Sequence, residues 1–263
     1  MPFIECDGAR VFWRTDGRRD APALVLANSL GSDTSLWDGL MPTLLRHYRV
    51  LRLDLPGHGA SSLIGSRITW TVPRLANHVL QAADAAGMGK FSFAGVSVGG
   101  MIGLWLAANS ARVERLVVSN TSASVDPGVW NDRIRIAREK GLQALVDGTM
   151  QRWFNADYLA KDPVEVATIR EHFLQVELEG YIGCSEAIRD VDLHACLAQV
   201  RCPTLVIAGI SDAAMPPRLG QVVADAVPGA AYVELPAAHI PHIADPRPFL
   251  EMVLHHLQPE GTR

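Results

Sequence analysis

The segment Gly95-Val96-Ser97-Val98-Gly99 sets a serine between two glycines, with the apolar run KFSFAGV (residues 90–96) before it and the small-residue run VGGMIGLWLA (98–107) after it. A serine at a strained strand-to-helix turn is lifted to the edge of a sheet, where its hydroxyl can attack an acyl carbon, and flanking glycines let the backbone make that turn. The other reading is a tight turn without chemistry. A nucleophilic serine needs a base to take its proton and an acid to orient the base, and with this kind of turn the chain order is Ser, then Asp or Glu, then His. Asp212 stands just past TLVIAG (204–209) and His239 just past YVELPAA (232–238), which is the required order. Asp212 alone, in SDAAMPP, reads equally as a turn or helix-capping residue. His242 and His58 are the rival bases. His239 is preferred because it directly follows a strand pattern. His242 is expected to start the last helix or line the pocket, and His58, among glycines, to lie in a loop near the serine.

The oxyanion formed by serine attack needs backbone N–H donors aimed at it. Val98, first in the helix after the turn, is expected to give one, because the first N–H groups of a helix have no partner within it. Leu30 in NSLG is expected to give the other. The stretch NSLGSD also reads as a helix N-cap through Ser32 or Asp33, and the two readings are compatible. The histidines form no H-E-x-x-H pair and GHGASS is not a phosphate loop of the G-x-x-x-x-G-K-[ST] type, so neither metal nor cofactor is expected.

These residues need a scaffold that gathers strand ends. ALVLANS (23–29), YRVLRLDL (48–55), KFSFAGV, VERLVVSN (113–120), CPTLVIAG (202–209) and AAYVELP (230–236) are short Val- and Leu-rich runs suited to strands buried on both faces. Helical patterns at 34–48, 71–88, 98–111, 216–227 and 245–257 alternate with them, and RVFWRTDG (10–17) reads as an outer hairpin strand. The expected fold is α/β, a mostly parallel, doubly wound sheet. Residues from about 126 to 198 break the rhythm with amphipathic stretches at 127–141, 142–154 and 163–176, an inserted helical cap. The expected division is a core over 1–122, the cap over 123–200 and the rest of the core over 201–263.

At 263 residues and a formal net charge of −4, the chain carries no basic footprint for nucleic acid. No stretch approaches the roughly 20 apolar residues of a membrane span, and the start lacks the pattern of a secretory leader, so a cytoplasmic protein acting on a small molecule is expected. Its four cysteines, without C-x-x-C spacing, read as reduced structural thiols.

The stretches LANSLGSDTSLWD, HYRVLRLDLPGHGAS, GVSVGGMIG, RLVVSNTSA, VWNDRI, RWF, GYIGCSEAIRDVDL, PTLVIAGISDAAMPP and YVELPAAHI together resemble the 3-oxoadipate enol-lactonases of the α/β-hydrolase superfamily, over nearly the whole chain. The resemblance implies an α/β-hydrolase fold and hydrolysis of 3-oxoadipate enol-lactone to 3-oxoadipate in the β-ketoadipate pathway of aromatic degradation. Carried over by motif, Ser97 is the nucleophile, His239 the base and acid, Asp212 its orienter, and Leu30 and Val98 the oxyanion donors. That lactone carries a free carboxylate, which needs a cation or several donors. The cap offers Arg133, Arg135, Arg138 and Arg152, and the shared motifs single out Arg133 with Trp130 and Trp153 as apolar walls. The chain departs from the family pattern at Val98, where Met is usual, at Pro56, where an arginine is frequent, and in IPHIAD after His239. Those departures bear on the substrate more than on the reaction type. The same fold, triad and oxyanion loop leave open an esterase or lactonase for another small ester, or a ligand-binding or signalling protein.

Overall fold

The computed structural model describes residues 2–65, 69–161 and 163–258. The chain opens with an antiparallel hairpin, β1 (Phe3–Cys6) and β2 (Ala9–Asp16), turned through Asp7 and Gly8 at positive φ. Then come β3 (Ala23–Ala27), a 3-10 helix (Thr34–Leu40) running into α1 (Met41–Leu44), β4 (Arg49–Leu53), β5 (Ser62–Leu63), α2 (Val72–Ala85), β6 (Phe91–Val96), α3 (Val98–Asn109) and β7 (Val113–Ser119). Six helices follow: α4 (Pro127–Lys140), α5 (Gln143–Trp153), α6 (Ala156–Leu159), α7 (Val164–Gln175), α8 (Leu178–Arg189) and α9 (His194–Leu197). The chain then returns to the sheet with β8 (Thr204–Gly209), α10 (Pro217–Ala226), β9 (Ala231–Leu235), α11 (Pro241–Ala244) and α12 (Pro246–Leu257).

The strands lie in the order β1-β2-β4-β3-β6-β7-β8-β9, with β5 paired to β2. β2 meets β4 antiparallel, and every pairing from β4 to β9 is parallel. The strands from β3 onward alternate between two cores, as a period of two requires. In β3, Val25 and Ala27 join one core with Leu75 and Val79 of α2 and Met101 and Leu104 of α3. Leu24 and Leu26 point the other way, to Trp37, Leu44 of α1 and Phe249 and Val253 of α12. Helices therefore cover both faces, the doubly wound α/β arrangement expected. Every residue of β6 and β8 is buried, which is why these strands read as unbroken apolar runs.

After β3 the chain turns to one side, to β4, and then crosses back to β6 on the other. This reversal opens a crevice beyond the carboxyl ends of β3 and β6, where open α/β sheets bind their ligands. The helical insertion between β7 and β8 adds to both cores, with Ile134 and Tyr181 in one and Trp153 and Phe154 in the other.

Three local expectations are corrected. Residues 34–48 form a 3-10 helix and a single α turn, with Asp33 capping the start by accepting from the Ser35 N–H at 2.8 Å. The strands expected over 23–29 and 48–55 stop at Ala27 and Leu53, because the residues after them peel away into the crevice loops. His242 neither starts the last helix nor lines the pocket, but sits in α11 with its ring stacked on Trp37 at 4.3 Å.

Candidate active site

Ser97 has φ 58° and ψ −121°, a backbone conformation that a non-glycine residue adopts only when its surroundings impose it. Its N–H donates to the Ser119 carbonyl at 2.9 Å, and its own carbonyl accepts from Met101 N–H at 3.1 Å and Thr121 Oγ1 at 2.8 Å. Gly95 and Gly99 are needed by contact: a Cβ on Gly95 would strike the Gly99 carbonyl, and one on Gly99 would strike the carbonyl of Ala27. The first α3 bond to the turn is made by Met101, so the Val98 N–H, at the first helical position, has no carbonyl partner within the helix.

Asp212 and His239 arrive on the loops after β8 and β9, and His239 Nδ1 lies 2.8 Å from Asp212 Oδ2. With the aspartate as acceptor, Nδ1 carries the proton and Nε2 is left as an unprotonated acceptor. The second oxygen, Oδ1, accepts the N–H groups of Ala214 at 2.8 Å and Met215 at 2.9 Å. The turn reading of Asp212 therefore holds together with the pairing to His239. Burial alone would raise the Asp212 pKa, but His239 and these hydrogen bonds outweigh it and hold the carboxyl below its ordinary range.

A cavity of about 280 Å³ brings the candidates together: Ser97, His239, Leu30, Trp130, Arg133 and Trp153 all line it, with Ser29, Arg152 and Met215 beside them. Trp153, at the end of α5, lies with its ring centroid 6.3 Å from that of His239, and its carbonyl accepts the Ile240 N–H, so the insertion is tied directly to the histidine loop.

The four arginines separate cleanly. Arg135 pairs with Asp132 and Glu139 along an exposed helix face, and Arg138 pairs with Glu186. Arg133 donates to the Tyr181 hydroxyl and to Thr149 Oγ1, and Arg152 reaches the same Thr149 oxygen at 3.4 Å. Burial, followed by the neighbouring Arg133 charge, lowers the Arg152 pKa. The rival histidines are used elsewhere. His58 is pushed down to about 4 by burial and its Nδ1 donates to the Pro56 carbonyl, and His242 is pushed down to about 3 by burial and hydrogen-bonds the Leu36 carbonyl.

Residues 22–246 match the family described as the alpha/beta hydrolase fold. This chain belongs to the α/β-hydrolase family. The 3-oxoadipate enol-lactonase 2 of Acinetobacter baylyi is 31% identical to this hydrolase over 240 residues, 90% of this chain and 89% of the relative. The enol-lactonase from Burkholderia xenovorans LB400 has 40% identity and a TM-score of 0.93, covering 97% of this chain and 99% of that one. A hydrolase from Pseudomonas aeruginosa PA01 has 37% identity and a TM-score of 0.93 over 98% of each chain. The family resemblance read from the sequence is borne out. Among the described residues of this hydrolase no helix is long and apolar enough to cross a membrane.

Proposed function

We propose that this hydrolase opens 3-oxoadipate enol-lactone to 3-oxoadipate through an acyl-enzyme, as a step of the β-ketoadipate pathway in the cytoplasm. Ser97, losing its proton to His239 Nε2, attacks the lactone carbonyl, while the N–H groups of Leu30 and Val98 hold the developing oxyanion. The C–O bond of the ring breaks, and its oxygen leaves as an enol that takes a proton from His239 and becomes a ketone. Water, deprotonated by His239, then adds to the ester carbonyl, and Ser97 leaves with the proton. An enol is a better leaving group than an alkoxide, so more of the selectivity can rest on the helices of residues 123–200, which act as a cap on a core formed by 1–122 and 201–263.

The observation that carries the reading is the shared cavity, lined by Ser97 and His239 and by two guanidiniums whose hydrogen-bond partners among the described residues, Tyr181 and Thr149, are neutral, while Asp132, the carboxylate in the same lining, pairs with Arg135. A substrate with a free carboxylate supplies the missing counter-charge, and Trp130 and Trp153 supply apolar walls. The test is steady-state loss of the ultraviolet absorbance of the lactone beside p-nitrophenyl acetate. Lactone turnover well above ester turnover is the expected result, and ester cleavage with the lactone untouched overturns the substrate.

A companion prediction concerns charge. Arg152→Met should raise KM by about tenfold for p-nitrophenyl hydrogen glutarate, which ends in a carboxylate, because a hydrogen bond to a charged group contributes about 1.5 kcal/mol or more. Its KM for neutral p-nitrophenyl acetate should stay within twofold. Equal changes for both esters would remove Arg152 from carboxylate recognition.

A further inference from the structure

The loop after β7 carries a polar side chain that sequence patterning leaves without a role. Asn120 has φ 52°, and its N–H donates to the Ile207 carbonyl of β8 at 2.9 Å. Its side-chain amide is 2% exposed as a residue and fully committed: Oδ1 accepts from the Ser119 hydroxyl, and Nδ2 donates to Asp212 Oδ2 at 2.9 Å and to the Ala238 carbonyl at 3.1 Å. The carboxylate oxygen that it reaches is the one that accepts from His239 Nδ1, and the carbonyl that it reaches belongs to the residue immediately before His239. One amide thus touches both the acid and the backbone that carries the base. Space for it is kept by Gly209, where a Cβ would crowd Asn120 Nδ2 and the Ala237 and Ala238 carbonyls.

We infer that Asn120 is a positioning residue, which fixes the Asp212 carboxylate and the His239 loop relative to each other so that the imidazole is presented to Ser97 in one orientation. The inference rests on Ser97, Asp212 and His239 as the reacting set. Asp212 accepts two backbone N–H groups on Oδ1 and the Asn120 and His239 donors on Oδ2, a count that fills a carboxylate. Without Asn120, Oδ2 keeps His239 as its one donor, and the link from the carboxylate to the Ala238 carbonyl is lost. The side chain of Asn120 carries no charge, and His239 is the titratable group whose charge and hydrogen bond act on Asp212.

The experiment compares wild type, Asn120→Ala, Asn120→Asp and Asp212→Asn on p-nitrophenyl acetate from pH 5 to pH 9, with thermal melting of each protein. Asn120→Ala should lower kcat by about tenfold to a hundredfold at little change in KM. Asn120→Asp tolerates the same backbone conformation and places a second carboxyl against Asp212. Two carboxyls that close hold one shared proton near neutrality, which restores a donor to Oδ2. Its activity should therefore exceed that of Asn120→Ala near pH 6 and fall as pH rises and the shared proton is lost. If both variants melt lower but keep the wild-type kcat and pH profile in the folded protein, Asn120 is only structural and the inference is wrong. If Asp212→Asn itself leaves hydrolysis intact, the reacting set is what has failed. Should Asn120→Ala not fold, Asn120→Asp alone decides, since a profile of wild-type shape overturns the inference.

Discussion

Ser97→Ala should lower kcat on the lactone and on p-nitrophenyl acetate alike, by on the order of 10⁵- to 10⁶-fold, the loss seen when the nucleophile of a serine hydrolase is removed. The effect is chemical and not structural for a specific reason. Alanine at position 97 would suffer the same strain at φ 58° as serine does. The contacts that impose the conformation, to Ser119, Met101 and Thr121, are all made by the Ser97 backbone. The melting temperature should therefore stay within a few degrees of wild type. Arg133, Arg152 and the tryptophan walls are also left in place, so a carboxylate-bearing product should bind Ser97→Ala as well as it binds wild type. Residual turnover above the rate in water would come from the oxyanion donors and binding alone. Pre-steady-state kinetics with a p-nitrophenyl ester in excess gives the decisive reading: with deacylation as the slower step, wild type releases a burst of p-nitrophenol that approaches the enzyme present, and the variant releases none. Full turnover in Ser97→Ala would replace the acyl-enzyme by direct attack of water.

The serine, aspartate and histidine are legible as residue types because each is the polar interruption at the end of a strand whose apolar run is plain. What their order along the chain cannot supply is distance, and the fold supplies it for Asp212 and His239 as a direct hydrogen bond. Helix α8 shows the opposite limit. Its residues Gly180 to Ile188 are all buried, so no polar face gives it an amphipathic period, and it stands out in the sequence only as the motif GYIGCSEAIRD. The arginines show a third case. Arg133, Arg135 and Arg138 share α4 and look alike in sequence, yet the packing of α4 against α5 and α8 turns Arg133 toward Thr149 and Tyr181 and leaves Arg135 in water. The same packing brings in Arg152, nineteen residues beyond Arg133, which the sequence marks only through the motif RWF. Asn120 was hidden for a related reason: a polar residue that ends a strand is ordinary turn chemistry, and its two partners come from loops about 90 and 120 residues away, at Asp212 and Ala238.

Asp212→Asn should lower kcat by about 10⁴-fold, close to the effect of the same change in other serine hydrolases. All the groups that face this side chain are donors: the Ala214 and Met215 N–H groups, the Asn120 amide and His239 Nδ1–H. An asparagine can offer them one oxygen, and its amide nitrogen must confront the rest. If it faces His239, the imidazole is driven to the tautomer with the proton on Nε2, which turns the base toward Ser97 as a donor. If it faces Ala214 and Met215, two backbone N–H groups lose their acceptor, at about 1–3 kcal/mol for each one left buried and unpaired. Loss of stability should therefore accompany loss of activity. Its pH dependence has a definite sign. The Asp212 pKa is held below the usual carboxyl value, so its contribution to stability is present in full above the unfolded pKa and is lost as pH falls through the folded one. Both values lie at or below about 4, and the loss is confined to acid. Urea unfolding should thus show a gap between wild type and Asp212→Asn that is present at pH 8 and narrows below pH 4. A variant that kept more than a tenth of the wild-type kcat would mean that His239 does not depend on this carboxylate, and Asp212 would lose its role.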